Sequence, residues 1–142
     1  MRACAPALEL NQTRIRPSQF VAVWGRGGKT RYVWAGFARH ESLGWWKRKG
    51  GELVDVPAER FAERSDRDWQ LRWDALPSGV VVRGIIDPHD GEPLLKIVTR
   101  ASTPEELAHF EHPRMPLAEP PLFSAELIPS PEPEPPAQGE LF

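Results

Sequence analysis

The chain has 142 residues, 40% of them hydrophobic, with 16 prolines, a single cysteine (Cys4) and a formal net charge of -2. That length buries one core and not two, and the proline excess points to a folded part joined to an unfolded one. One cysteine excludes an internal disulfide framework and an all-cysteine metal site. No apolar run approaches a membrane span, and Pro6 and Glu9 interrupt the apolar core of a secretory signal, so a cytoplasmic protein without a membrane role is expected.

In chain order, residues 1–13 read as irregular, and Pro17 discourages a helix in the stretch that follows. FVAVW (Phe20–Trp24) and RYVWAGF (Arg31–Phe37) are β-branched and aromatic runs around GRGGKT, which predicts a strand, a glycine turn and a strand. WWKRKGG suits another turn before the candidate strand GELVDV (Gly51–Val56). PAERFAERSDRD predicts one short helix, with Pro57 in its first turn and Ala, Glu and Arg favouring it. In DWQLRW, alternation places Trp69, Leu71 and Trp73 on one face of a strand. GVVVRGIID (Gly79–Asp87) and EPLLKIVTR (Glu92–Arg100) flank the turn PHDG and predict a hairpin. TPEELAHF starts a helix, with Thr103 as cap, Pro104 in the first position and Glu105 and Glu106 near the positive end.

From Pro113 onward nine prolines occur in thirty residues, a composition that stays extended and does not fold alone. The expected organisation is therefore an irregular stretch over 1–13, a β-rich domain over 14–110 and a disordered acidic, proline-rich tail over 111–142. The fold class is mainly β: a small antiparallel sheet or partly closed barrel with one or two short helices.

Charge is unevenly spread. Residues 11–50 carry nine Lys and Arg against Glu41 alone, whereas residues 111–142 carry six Glu against Arg114 alone. Different partners for the two ends follow, and the acidic tail has the sign to screen the basic face.

Several patterns invite a chemical reading. GRGGKT resembles a phosphate loop, but the pattern requires a glycine where Val23 stands, and the following stretch is strand-like, so a basic hairpin turn accounts for it better. DPHDGE gathers Asp87, His89, Asp90 and Glu92, yet close neighbours in a turn point apart. His109 and His112 stand far off with no cysteine beside them, so solvated turn residues and no metal site are expected. No nucleophile arrangement frames any serine, and no cofactor motif is present, so the expected protein is not an enzyme. Six tryptophans in so small a domain first of all fill a β-rich core. Where some face solvent beside cations they would stack bases while the cations hold phosphates. Arg26, Lys29, Arg31, Trp45, Trp46, Lys47, Arg48 and Lys49 are the candidate nucleic-acid residues.

The chain closes on QGELF, where Gln138, Leu141 and Phe142 match a pattern of Gln, two variable positions, Leu and Phe. This looks like the short peptide by which many bacterial replication and repair proteins dock on the sliding clamp. The residue types suit that use: an amide donates and accepts at a pocket rim, and two apolar side chains fill adjacent hollows worth roughly 1.5–3 kcal/mol each. Ordering an extended arm subtracts from that gain, which predicts docking of about micromolar strength. EPPLF (Glu119–Phe123) repeats the Leu-Phe ending without the Gln and is expected to be at best a weaker contact.

GWW (Gly44–Trp46), RDWQLRW (Arg67–Trp73), GVVVRGIID and the Asp90-Gly91 turn together resemble, over about residues 31–98, the C-terminal module of ImuB-type proteins. Those are inactive relatives of Y-family polymerases within the bacterial mutasome, and small stand-alone proteins share the pattern. The chain departs from it where Pro93, Leu94 and Leu95 follow the turn in place of an aromatic residue, and in the insertion KRKGGELVDVPAERFAERS. The resemblances imply a non-enzymatic adaptor of DNA replication, repair or translesion synthesis under the SOS response. Its implied partners are the polymerase sliding clamp and an error-prone polymerase or other mutasome subunit, or DNA itself. The alternative is a small-barrel single-stranded nucleic-acid-binding protein with an acidic regulatory tail.

Overall fold

A computed structural model describes residues 6–88 and 91–124. Among these residues, eleven strands and two short α-helices run in the order β1 (Ala7–Leu10), β2 (Thr13–Ile15), β3 (Phe20–Gly25), β4 (Gly28–Arg39), a 3-10 turn (His40–Ser42), α1 (Leu43–Arg48), β5 (Glu52–Val56), β6 (Arg60–Arg64), β7 (Leu71–Ala75), β8 (Val81–Asp87), β9 (Leu94–Ala101), α2 (Pro104–Phe110), β10 (Arg114–Pro116) and β11 (Ala118–Glu119). The mainly β fold class expected from the sequence is what the chain adopts.

Five strands close a ring. β3 pairs with β4 and β5, β5 with β8, β8 with β9, and β9 returns to β4. Every pairing in the ring is antiparallel except β4 with β9, which is parallel and shifts register between Trp34 and Phe37. Gly36 sits at that irregularity with φ 95°, a conformation that strains any residue carrying a Cβ. β8 is buried along its whole length, which explains its near-continuous apolar run.

The ring is completed by residues assigned above to the tail. β8 and β9 splay at one end, and the segment 114–119 fills the gap. β10 pairs with the end of β9, Leu117 donates its N–H to the Val98 carbonyl and accepts from the Arg83 N–H, and β11 pairs with the start of β8. The boundary expected at residue 110 is thereby corrected to at least residue 124. Extended, proline-bearing backbone is stable there because β9 pairs with β10, β8 pairs with β11, and Leu117 bonds to both strands.

A second sheet, in the order β2-β1-β6-β7, packs on the ring. Its Leu8 joins Val21, Val23, Trp34, Val56 and Leu95 in the main core, with Leu10, Ile15 and Phe61 packed against it. This corrects two further expectations. Residues 7–10, taken as irregular, form β1, and Ala7 and Leu8 are almost fully buried. Residues 60–64, expected in a helix, form β6, which hydrogen-bonds to β1 on one side and β7 on the other. Helix propensity of Ala, Glu and Arg amounts to tenths of a kcal/mol per residue. Two sheet partners and the stacking of Phe61 on Phe110 at 5.3 Å outweigh it.

Two more local differences have the same cause. WWKR lies in α1, because Leu43 and Trp46 pack on a second apolar cluster of Ala38, Ile85, Val98 and Leu117, and the expected turn is confined to Lys49 and Gly50, with Gly50 at φ 94°. β7 begins at Leu71, and Trp69 stands before it with φ 63°, off the alternating face. By contrast, the GRGGKT hairpin, the hairpin between β8 and β9, and α2 with a capping box between Thr103 and Glu106 form as expected. No helix among the described residues is long and apolar enough to cross a membrane.

Candidate nucleic-acid groove and the root of the arm

The β3–β4 hairpin builds one side of an open groove. Alternation along β3 sends Val21 and Val23 into the core and leaves Phe20, Ala22 and Trp24 on the outer face. Across the ladder, Arg31 stands opposite Ala22 and Lys29 opposite Trp24. The Arg31 guanidinium lies 5.0 Å from the Phe20 ring centre, and the Lys29 ammonium 5.3 Å from that of Trp24. Phe20 is 55% exposed, the largest share, equal with Leu122, among the big apolar side chains described as exposed. The groove beside these residues has a volume of about 720 Å³, and Leu76, Pro77 and Glu59 belong to its other walls.

Glu59 is the acidic member of that lining, and its carboxylate is engaged. Its two oxygens accept from the backbone N–H groups of Asn11 and Gln12 at 3.1 and 3.3 Å. Asn11 and Gln12 form the two-residue turn between β1 and β2, and both have positive φ, 51° and 67°. The carboxylate therefore holds a strained turn whose amides would otherwise lack partners.

The remaining candidate cations lie elsewhere. Trp45, Trp46, Lys47 and Arg48 sit on α1, with Lys49 at its end. Trp45 meets Trp46 edge-to-face at 5.0 Å, and the Lys49 ammonium caps the Trp45 ring at 4.4 Å. Arg26, at the tip of the β3–β4 turn, and Lys47 share a smaller depression of about 390 Å³ with Leu53, Leu122 and Phe123. The eight residues singled out from the sequence are thus divided between two places.

That depression adjoins a feature which sequence reasoning missed. Asp55 on β5 and Arg83 on β8 are register partners, both buried, and the Arg83 guanidinium donates to the Asp55 carboxylate. The same carboxylate accepts from the backbone N–H groups of Leu122 at 2.9 Å, Phe123 at 2.6 Å and Ser124 at 2.9 Å, and from the Ser124 hydroxyl at 3.2 Å. Arg83 also donates to the Pro120 carbonyl at 2.8 Å and to Glu119 at 3.3 Å. EPPLF is therefore tied to the barrel along its length. A visible signal existed: ELVDV and GVVVRGIID each carry one charge inside an apolar run, the pattern of charges buried together.

A second buried carboxyl, Glu63 on β6, is 2% exposed and lies 3.6 Å from His112 Nε2. Burial, with the nearby Asp66 charge, raises its pKa to about 8. Among the described residues, no three His, Cys, Asp or Glu side chains gather as a metal site. His89 and Asp90 of the DPHDGE turn lie outside the described residues, as do Gln138, Leu141 and Phe142. No protein-family model, no curated protein and no solved structure matches this chain.

Proposed function

We propose that this chain is a non-enzymatic adaptor of bacterial DNA replication or repair, acting in translesion synthesis. It docks on the sliding clamp through Gln138, Leu141 and Phe142. Its barrel holds DNA or a protein partner, such as an error-prone polymerase or another mutasome subunit. The observation that supports the reading is the root of the arm. Asp55 and Arg83 fasten residues 119–124 to the barrel, so whatever the following chain binds stays within a limited reach of the domain. Thirteen residues separate Ser124 from Gln138, a span of at most about 50 Å when extended. A tether of that reach raises the local concentration of the barrel's cargo at the clamp.

The test is a pull-down of the full chain by purified sliding clamp, beside a version lacking residues 138–142. Loss of capture on truncation is expected, and equal capture overturns the clamp reading. The alternative, a single-stranded nucleic-acid-binding protein with an acidic regulatory tail, is favoured by the aromatic and basic residues of the β3–β4 groove. It predicts oligonucleotide binding with no capture by the clamp.

A further inference from the structure

We infer that the groove beside β3 and β4, rather than the cation-rich helix α1, is where this domain takes hold of single-stranded nucleic acid. The inference rests on the reading that the barrel carries nucleic acid, and it assigns the surface that does so.

Three observations converge on the groove. Phe20 and Trp24 are four residues apart on one strand face, about 13 Å, with the small Ala22 as floor between them. The two rings are thus separate platforms on one straight track, each able to take the face of an unpaired base. Arg31 and Lys29 stand one per ring on the neighbouring strand, so each aromatic surface is matched by a cation for the adjoining phosphate. Arg31 adds a guanidinium plane on which a base also stacks. Finally, the groove's volume of about 720 Å³ falls in the range of a small-ligand pocket, room enough for single unpaired bases.

The competing surface lacks this arrangement. On α1, Trp45 is 48% exposed but turned edge-on to Trp46, with Lys49 over its ring, and Trp46 packs against the second apolar cluster. The helix thus offers one exposed ring, where the groove sets two rings and two cations along one strand pair. A purely acidic peptide would pair with Lys29 and Arg31 but brings no planar group to Phe20 and Trp24, whereas an unpaired strand engages all four, which is why it is the chosen occupant.

The experiment is fluorescence anisotropy of a labelled oligothymidine of about ten nucleotides with the full chain, at several salt concentrations. Phe20→Ala with Trp24→Ala is expected to weaken binding by about tenfold or more while leaving the salt slope in place. Lys29→Ala with Arg31→Ala is expected to flatten the slope by roughly 1.4, about 0.7 per phosphate contact. Trp45→Ala should leave affinity unchanged. Phe20→Ala alone, at a position 55% exposed, keeps the test readable if the Trp24 change impairs folding. Binding that survives the groove substitutions, or is lost with Trp45→Ala, overturns the groove assignment while leaving a nucleic-acid role intact. No binding by the unaltered chain at low salt overturns both, whatever the clamp pull-down shows. Binding of an oligoglutamate peptide in place of the oligonucleotide makes the groove a peptide site and equally refutes the assignment.

Discussion

Removing the Asp55 carboxylate should loosen the arm and destabilise the barrel together. Asp55 is fully buried and accepts from one guanidinium, three backbone N–H groups and one hydroxyl. In Asp55→Ala, Arg83, itself 3% exposed, keeps only Glu119 and the Pro120 carbonyl as partners. Removing one member of a buried ion pair costs about 3–5 kcal/mol, a fifth or more of the stability of a typical domain. The three amides add about 1–3 kcal/mol each only if they stay buried. Residues 122–124 are expected to lift into water instead, which replaces that cost by the smaller loss of their packing. Urea denaturation should therefore show a loss of about 3–5 kcal/mol, and hydrogen exchange at Leu122, Phe123 and Ser124 should accelerate strongly. Asp55→Leu with Arg83→Met removes both charges and should be less destabilising than Asp55→Ala, since apolar pairs replace buried ion pairs at little cost. Glu119 loses a partner in that variant, but its side chain is 44% exposed and is solvated. A loss below about 1 kcal/mol in Asp55→Ala, with the three amides still protected, would refute the anchor.

Glu63 sets a pH dependence. Its folded pKa, about 8, lies above the ordinary 4.5, so the folded state holds the proton more tightly and stability falls as pH rises from about 4.5 to 8. The loss is at most about 5 kcal/mol, and Glu63→Gln should remove it, flattening urea midpoints between pH 5 and 8.5. Gly84 lies where β5, β8 and β9 meet, and an added Cβ would stand 2.7 Å from Leu95 Cδ1 and 3.2 Å from Val54 Cγ2. Gly84→Ala is expected to cost about 1–3 kcal/mol by thermal or chemical denaturation, and an unchanged midpoint would show that the barrel wall yields there.

Period-two alternation was an uneven guide: it misplaced Trp69, and β1 and β6 went unread as strands. FVAVW was read as a strand, but the alternation that sets Val21 and Val23 against Phe20 and Trp24 was not used, so only Lys29 and Arg31 of the groove were singled out from the sequence. The glycine turn, the hairpin between β8 and β9 and the Thr103 cap were visible, because their chemistry lies within a few residues of chain. The groove's far wall was not visible, since Glu59 and Pro77 reach it only through the packing of one sheet on the other.

Composition, charge asymmetry and local pattern were enough to determine a mainly β domain with basic hairpins. Tertiary structure alone decided that the domain runs past residue 110, to at least residue 124. Residues 114–124 carry the prolines and glutamate of an unfolded tail, yet they become part of the barrel. The open seam between β8 and β9 and the buried Asp55–Arg83 pair satisfy their backbone groups, and both partners are remote in sequence. The same holds for β6, whose helix-forming residues become a strand between β1 and β7. Local propensities of tenths of a kcal/mol give way wherever a distant edge supplies a full ladder of hydrogen bonds and a buried face.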